Sequence, residues 1–192
     1  FEAHSEIAKE LKDITESWES NHRIATIKIE NSAVSHQDGE SELNIPENFH
    51  SNRGSAKLVE SNSGSSNEKR IKTQMVCLDN YFEQSEESIG TCKIDIEGHE
   101  KSALIGAKKL LKDQRLRDII YEDHNGYPSE VGTFLESFGY EIFLIRKGLF
   151  KPLLMDPDTT PYELPNYLAT HSPQRAKKRL SSMGYKVLRK IE

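Results

Sequence analysis

The sequence is short of cysteine, of aromatic residues and of long apolar runs. It has 192 residues, of which two are cysteines, Cys77 and Cys92, and 8% are aromatic. Two thiols build neither a disulfide framework nor a four-cysteine zinc site, so a reducing compartment and a cytoplasmic location are the simplest expectation. No apolar run approaches the ~20 residues that a membrane-spanning helix needs. The sequence therefore predicts neither a disulfide-stabilised secreted domain nor an integral membrane protein.

An excess of positive charge is also absent. Lysine and arginine number 26 against 31 aspartates and glutamates, a formal net charge of −5. General nucleic-acid binders carry the opposite balance, so no nucleic-acid partner is expected. The segment 172–192 is the exception, with seven basic residues and one acidic residue. Ala176, Leu180, Met183 and Val187 recur there at helical spacing. This pattern predicts a basic amphipathic helix, which either packs on its own domain or contacts an acidic partner or lipid.

Apolar strands alternate with amphipathic helices along the chain. Periodicity predicts helices at 5–19, 99–112 and 128–138, strands at 91–96 and 118–122, and a late hairpin of 140–146 with 149–154. This alternation favours an α/β fold with a Rossmann-like, mostly parallel sheet and helices on both faces. The hairpin favours an antiparallel C-terminal edge.

A change of composition marks residues 48–70. Serine, asparagine, glycine and charged residues dominate there, which predicts a flexible surface loop, although a mobile lid over a site would have the same composition. The chain length suits a single domain. We therefore expect one domain over residues 1–171 that includes this loop, followed by the basic helix at 172–192.

Acidic side chains stand at the ends of the predicted strands. Asp95 and Glu97 end one strand, Glu122 ends the next, and Glu2 would follow a strand end at the start of the chain. In open α/β sheets, ligands bind outside the carboxyl ends of the strands. We therefore expect these acids to gather along one edge of the sheet.

The stretch from Lys93 to Glu100 reads Lys-Ile-Asp-Ile-Glu-Gly-His-Glu. An apolar strand delivers a carboxylate, Gly98 permits a tight turn, and a helix with free N–H groups begins at once. Glu100 suits an ordinary negative charge at a helix start. An acid that ends a buried strand, as Asp95 does in this prediction, is costly unless it is paired or used. Asp95 is therefore the stronger functional candidate.

The same stretch, followed by Leu104, Gly106-Ala107 and Leu111, resembles the signature of the FkbM family of S-adenosylmethionine-dependent methyltransferases. Other pieces resemble the family's motifs and follow in its order over residues 1–170. They are Phe1-Glu2, where the family has Phe-Glu-Pro, Asn31 to Ser35 with Asp38-Gly39, Cys77-Leu78-Asp79, Ile120-Tyr121-Glu122, and Phe138-Gly139-Tyr140.

The resemblance implies a methyltransferase that uses S-adenosylmethionine and methylates oxygen, with a sugar, glycan or other small-molecule hydroxyl as acceptor. It implies that Glu2 accepts hydrogen bonds from the cofactor ribose and that Ser32 and Ala33 lie against the adenine. Asp95 would lie near the methionine part or the transferred methyl group. Glu97 and Glu122 are expected to contact the acceptor.

A base that takes the acceptor's proton would assist the methyl transfer, typically by about 10²–10⁴-fold. The candidates are Asp95, His99 and His124, and a histidine suits this role because it titrates near neutral pH. Structural or solvated histidines are the alternative at both positions. No cluster of cysteine and histidine indicates a metal, so no metal site is expected.

One part of the family pattern is missing from the sequence. The family's first strand and Gly-rich turn precede the Phe-Glu motif, and here the motif stands at Phe1-Glu2. We interpret the chain as truncated at its amino end, and we expect it to bind cofactor weakly or not at all by itself. Two further hypotheses therefore stay open beside the methyltransferase: a non-catalytic remnant or binding module with a methyltransferase-like fold, and a nucleotide-sugar enzyme that uses the same edge.

Overall fold

A computed structural model describes residues 1–21, 26–49, 53–59, 69–161 and 164–181. The chain divides into two compact units. Residues 1–84 with 102–107 form the first unit, and residues 85–101 with 108–192 form the second. Each unit contains one of the two β-sheets.

The first unit is built on a four-stranded sheet. Its elements are α1 (Ser5–Asn21), β1 (Ala33–Ser35), β2 (Gly39–Ile45), β3 (Lys57–Leu58), β4 (Lys69–Cys77) and α2 (Leu78–Tyr81). The strand order is β1-β4-β2-β3, with β1 parallel to β4 and the other neighbours antiparallel. Leu43 and Ile45, two residues apart on one face of β2, form a core with Phe49, and Ile7 of α1 packs against it.

The second unit is built on a five-stranded sheet. Its elements are β5 (Ile89–Ile94), the start of α3 (Glu100–Ile105), α4 (Lys108–Lys112), β6 (Leu116–Glu122), α5 (Glu130–Glu136), β7 (Glu141–Lys147), β8 (Pro152–Met155), β9 (Asn166–Thr170) and α6 (Pro173–Leu180). The strand order is β5-β6-β9-β7-β8. The strands β5 and β6 are parallel, and the other neighbours are antiparallel. Thus β5, β6 and β7 run in one direction and β8 and β9 in the other.

The predicted α/β class is confirmed, and so is the antiparallel C-terminal edge, which the β7–β8 hairpin forms. The strand pairings differ from a mostly parallel sheet. Among the described residues, only β1–β4 and β5–β6 pair in parallel. The reason in the second unit is that β9 lies between β6 and β7 with reversed direction, so two antiparallel pairings replace one parallel pairing.

The structure describes two of the predicted segments only in part, and one of them contains a strand. Within the predicted loop at 48–70, β3 pairs with β2 through Leu58 and Leu43, while 50–52 and 60–68 lie outside the described residues. The predicted helix at 172–192 is described only as far as residue 181. No helix in the described residues is long and apolar enough to span a bilayer.

The helix predicted over 99–112 is interrupted at Gly106. Its backbone lies against β1, where a β-carbon added to Gly106 would be 2.1 Å from the carbonyl oxygen of Ser35. That distance is far below any normal contact, so only glycine fits. The close approach explains why α3 ends at Ile105 and α4 begins at Lys108.

Candidate functional site

The carboxyl ends of β5 and β6 lie side by side in the second unit. The strands are parallel, and Ile94, the last residue of β5, is paired with Tyr121, the residue before the end of β6. Asp95 and Glu122 come directly after these paired residues. The structure therefore brings two predicted site residues to one edge of one sheet, the kind of edge at which α/β proteins bind ligands.

Asp95 stands at this edge as an exposed carboxylate with a cationic partner. Its side chain is 45% exposed, and its Oδ2 lies 2.5 Å from Nζ of Lys93, two residues earlier on the same face of the strand. The expectation of a fully buried strand before Asp95 is wrong, because Thr91 and Lys93 are exposed and only alternate residues turn inward. Asp95 is therefore accessible to a ligand. Because it is exposed, the cost of burying an unpaired acid does not argue for a functional role.

A buried carboxylate holds the turn that follows Asp95. Glu97 and Gly98 have φ angles of 56° and 95°, and this left-handed region costs a residue with a side chain about 1–2 kcal/mol. Glu100 is buried. Its Oε1 accepts hydrogen bonds from the backbone N–H groups of Ile96, at 3.1 Å, and Gly98, at 3.2 Å. Glu100 therefore stabilises the turn directly, beyond the effect of a negative charge at a helix start.

The two candidate histidines have different surroundings. His99 is half-buried in the turn before α3. His124 is largely exposed, and its Nε2 lies 3.4 Å from Oε1 of Glu122, which is half-buried. A carboxylate beside an imidazole can orient the ring. Glu122 and His124 therefore form a pair at the end of β6.

Asp123, between these two residues, has a structural task. It is buried, its Oδ1 accepts a hydrogen bond from the backbone N–H of Asn125 at 3.0 Å, and its own N–H donates to the carbonyl of Pro165. Asp123 thus fixes the turn that carries His124. In the described ranges, no group of three or more histidine, cysteine, aspartate or glutamate residues is placed to hold a metal ion.

The remaining predicted cofactor residues belong to the first unit. Glu2 is half-buried, and its Oε1 accepts a hydrogen bond from the N–H of His4 at 2.8 Å, just before α1 begins. The backbone of Glu2 is bound to the segment before β1, through Glu30 at 2.9 Å and Asn31 at 2.9 Å. Ser32 and the buried Ala33 follow directly. The structure therefore brings Glu2 close to the segment that contains Ser32 and Ala33.

A second network in the first unit was not predicted from the sequence. The carboxylate of Glu30 accepts hydrogen bonds from Lys28, at 2.5 Å, and from the hydroxyl of Tyr81, at 2.6 Å. The lysine and then the tyrosine lower the pKa of Glu30. The ring of Phe1 packs edge-on against Tyr81. This network anchors the Phe1-Glu2 motif, and no local pattern reveals it, because Phe1, Glu30 and Tyr81 lie far apart in the chain.

A cleft of about 580 Å³ opens in the second unit, at the end of β7. Its lining includes Ile120 of β6, Ile145 of β7 and Asn166 of β9. Asn166 is paired in register with Glu122. The cleft therefore adjoins the strand end that carries the Glu122–His124 pair, and it is large enough for a small-molecule ligand.

Acidic strand ends beside a cleft at one edge of a sheet are typical of α/β proteins that bind ligands. The chain matches the family model of the methyltransferase FkbM domain over residues 1–142, well over half of its length. It belongs to the FkbM methyltransferase family, as the motifs around Asp95 predict. No significant match was found among curated proteins or among solved structures.

Proposed function

We propose that this protein is an S-adenosylmethionine-dependent methyltransferase that methylates a hydroxyl oxygen of a sugar or another small molecule. The observation that carries the proposal is the match to the FkbM methyltransferase domain over residues 1–142. The parallel pairing of β5 with β6 supports it, since Asp95 and Glu122 come to one edge.

The residues at the proposed cofactor site suit the chemistry of the cofactor. A ribose presents two neighbouring hydroxyls, for which the carboxylate of Glu2 is a good acceptor. Ser32 and Ala33 would provide a small, partly apolar surface for the adenine. Asp95 would lie near the methionine part or the transferred methyl group. The network around Glu30 supports this assignment, because it holds the backbone of Glu2 in place.

The cofactor, when bound, supplies a methyl group that is already activated on a sulfonium. The protein's task is then to align the acceptor and to accept its proton. Glu97 and Glu122 would hydrogen-bond the acceptor's hydroxyls. Asp95, His99 and His124 are the candidates for the base, and His124 has the most suitable surroundings, because Glu122 would stabilise the imidazolium that forms.

Calorimetric titration with S-adenosylhomocysteine tests the proposal. Glu2→Gln and Asp95→Asn should each weaken binding by about tenfold or more, because a hydrogen bond to a charged group contributes about 1.5–3 kcal/mol. Glu141→Gln is the matched control. Glu141 is an exposed carboxylate at the amino end of β7, away from the edge, and it pairs with Lys177 at 3.5 Å.

Three results bear on the proposal. Weaker binding of both site variants and unchanged binding of Glu141→Gln would support it. Wild-type affinity in both site variants would overturn the cofactor assignment. A folded wild-type chain that does not bind S-adenosylhomocysteine, even when it is extended at its amino end, would favour a binding module with the methyltransferase fold.

A further inference from the structure

The tip of the β7–β8 hairpin presents two adjacent apolar side chains to solvent. Leu149 is 89% exposed and Phe150 is 66% exposed. Exposing both of them in water forgoes the stabilisation that burial would give. Leu164, which is also exposed, lines the cleft beside Phe150. The tip is therefore an apolar projection at the edge of the second unit's sheet.

Cations surround this projection. Residues 142–155 contain Arg146, Lys147 and Lys151 and no acidic residue. Nζ of Lys151 donates a hydrogen bond to the carbonyl of Ser181 at 3.2 Å, so the end of α6 lies beside the tip. The last turn of α6 adds Lys178 and Arg179, beside Lys177, which is paired with Glu141 at 3.5 Å. The apolar projection is thus framed by positive charge from two elements.

We propose that the hairpin tip docks on an anionic lipid membrane, with Leu149 and Phe150 inserted at the headgroup boundary and Lys147 and Lys151 against the lipid phosphates. Apolar side chains flanked by basic residues are the combination that binds peripherally to anionic bilayers. Two side chains at a tip cover far less than the ~800 Å² per partner of a stable protein interface. The inference goes beyond methyl transfer and requires no cofactor.

Co-sedimentation with vesicles tests the inference on the 192-residue chain. Binding is expected to vesicles that contain about 30% phosphatidylserine and not to phosphatidylcholine alone, and added salt should weaken it. Leu149→Ser with Phe150→Ser should weaken binding by roughly tenfold or more. Each of Lys147→Ala and Lys151→Ala should weaken it by roughly fivefold. Ile14→Ser, which removes another exposed apolar side chain, is the matched control.

Tryptophan fluorescence provides an independent measurement of insertion. The chain has a single tryptophan, Trp18, which lies in α1. The double variant Trp18→Phe with Phe150→Trp moves the only tryptophan to the hairpin tip. Its emission should shift to the blue with anionic vesicles, and the emission of Trp18 in the wild-type chain should not.

Several outcomes would overturn the inference. These are equal binding to neutral and anionic vesicles, no binding to either, or unchanged binding after Leu149→Ser with Phe150→Ser. A dimer in solution that the same double substitution dissociates would assign the tip to a second copy of the chain instead. Circular dichroism of each variant ensures that a loss of binding is compared between folded proteins.

Discussion

Replacing Glu100 by alanine tests whether the turn after β5 depends on a buried carboxylate. Oε1 of Glu100 accepts the N–H groups of Ile96 and Gly98 at 3.1 and 3.2 Å. A hydrogen bond to a charged group contributes about 1.5–3 kcal/mol, and a buried N–H group left without an acceptor adds a desolvation cost. Both bonds share one oxygen, and Gly98 is exposed, so the two contributions do not add in full. We expect Glu100→Ala to lower the free energy of unfolding by about 2–3 kcal/mol.

Two companion variants make this prediction specific. Glu100→Gln keeps an acceptor oxygen and loses only the charge, so a loss of about 1 kcal/mol is expected. Glu130→Ala is the matched control, because Glu130 begins α5 as Glu100 begins α3, but it is exposed and pairs with Lys101 at 2.6 Å. Urea unfolding followed by circular dichroism measures all three. Equal losses for the two alanine variants would refute the reasoning, since Glu100 would then act only as a helix-start charge.

Three further predictions concern the pair Tyr121 and Tyr140, then Glu97, then Asp118. Tyr121→Phe should raise the free energy of unfolding by up to about 1 kcal/mol, because the buried Tyr121 hydroxyl has no hydrogen-bond partner in the described residues. Tyr140→Phe should lower the free energy of unfolding by about 1 kcal/mol, because the Tyr140 hydroxyl donates to a backbone carbonyl. Urea unfolding that ranks the two variants the other way would contradict this prediction. Glu97→Gly should stabilise the fold by about 1 kcal/mol, because glycine adopts the positive φ at no steric cost; a lower thermal midpoint would contradict it. Burial raises the pKa of Asp118, but hydrogen bonds from a threonine and an arginine, with the charges of two arginines, outweigh burial and lower it. The ionised Asp118 therefore stabilises the folded state above the unfolded pKa of about 3.9, and this stabilisation is lost as pH falls through the lower folded pKa. Unfolding titrations should show that Asp118→Asn is less stable than the wild type near neutral pH and loses less stability in acid than the wild type does.

Local periodicity was sufficient to predict the elements that position the edge. The apolar stretches before Asp95 and Glu122 predicted two strands, and the intervening helical pattern predicted that these strands run in parallel. Parallel neighbours place their carboxyl ends together, so the adjacency of the two acids followed from sequence pattern and one general rule. The pattern does not predict the environment of Asp95, because the apolar composition of 91–96 indicates a buried strand, whereas Thr91 and Lys93 are exposed.

Long-range packing accounts for what the sequence could not predict. The insertion of β9 between β6 and β7 depends on strand order, which no local signal encodes. The break at Gly106 arises from contact with Ser35, which is 71 residues earlier in the chain. The anchoring of Glu2 by Glu30 is of the same kind. Each feature is a contact between distant segments, and a single sequence carries no pattern that pairs them.

The turn after β5 assigns different tasks to its two glutamates. Glu100 is buried and satisfies the turn's backbone donors, so its presence is explained by stability alone. Glu97 stands where glycine would be less strained, so the backbone conformation of the turn does not by itself favour a side chain there. Backbone strain that folding does not require is expected where the side chain has a function. The geometry thus supports the proposal that Glu97 faces the acceptor. We therefore expect that replacing Glu97, more than replacing the exposed Asp95, raises stability and lowers activity.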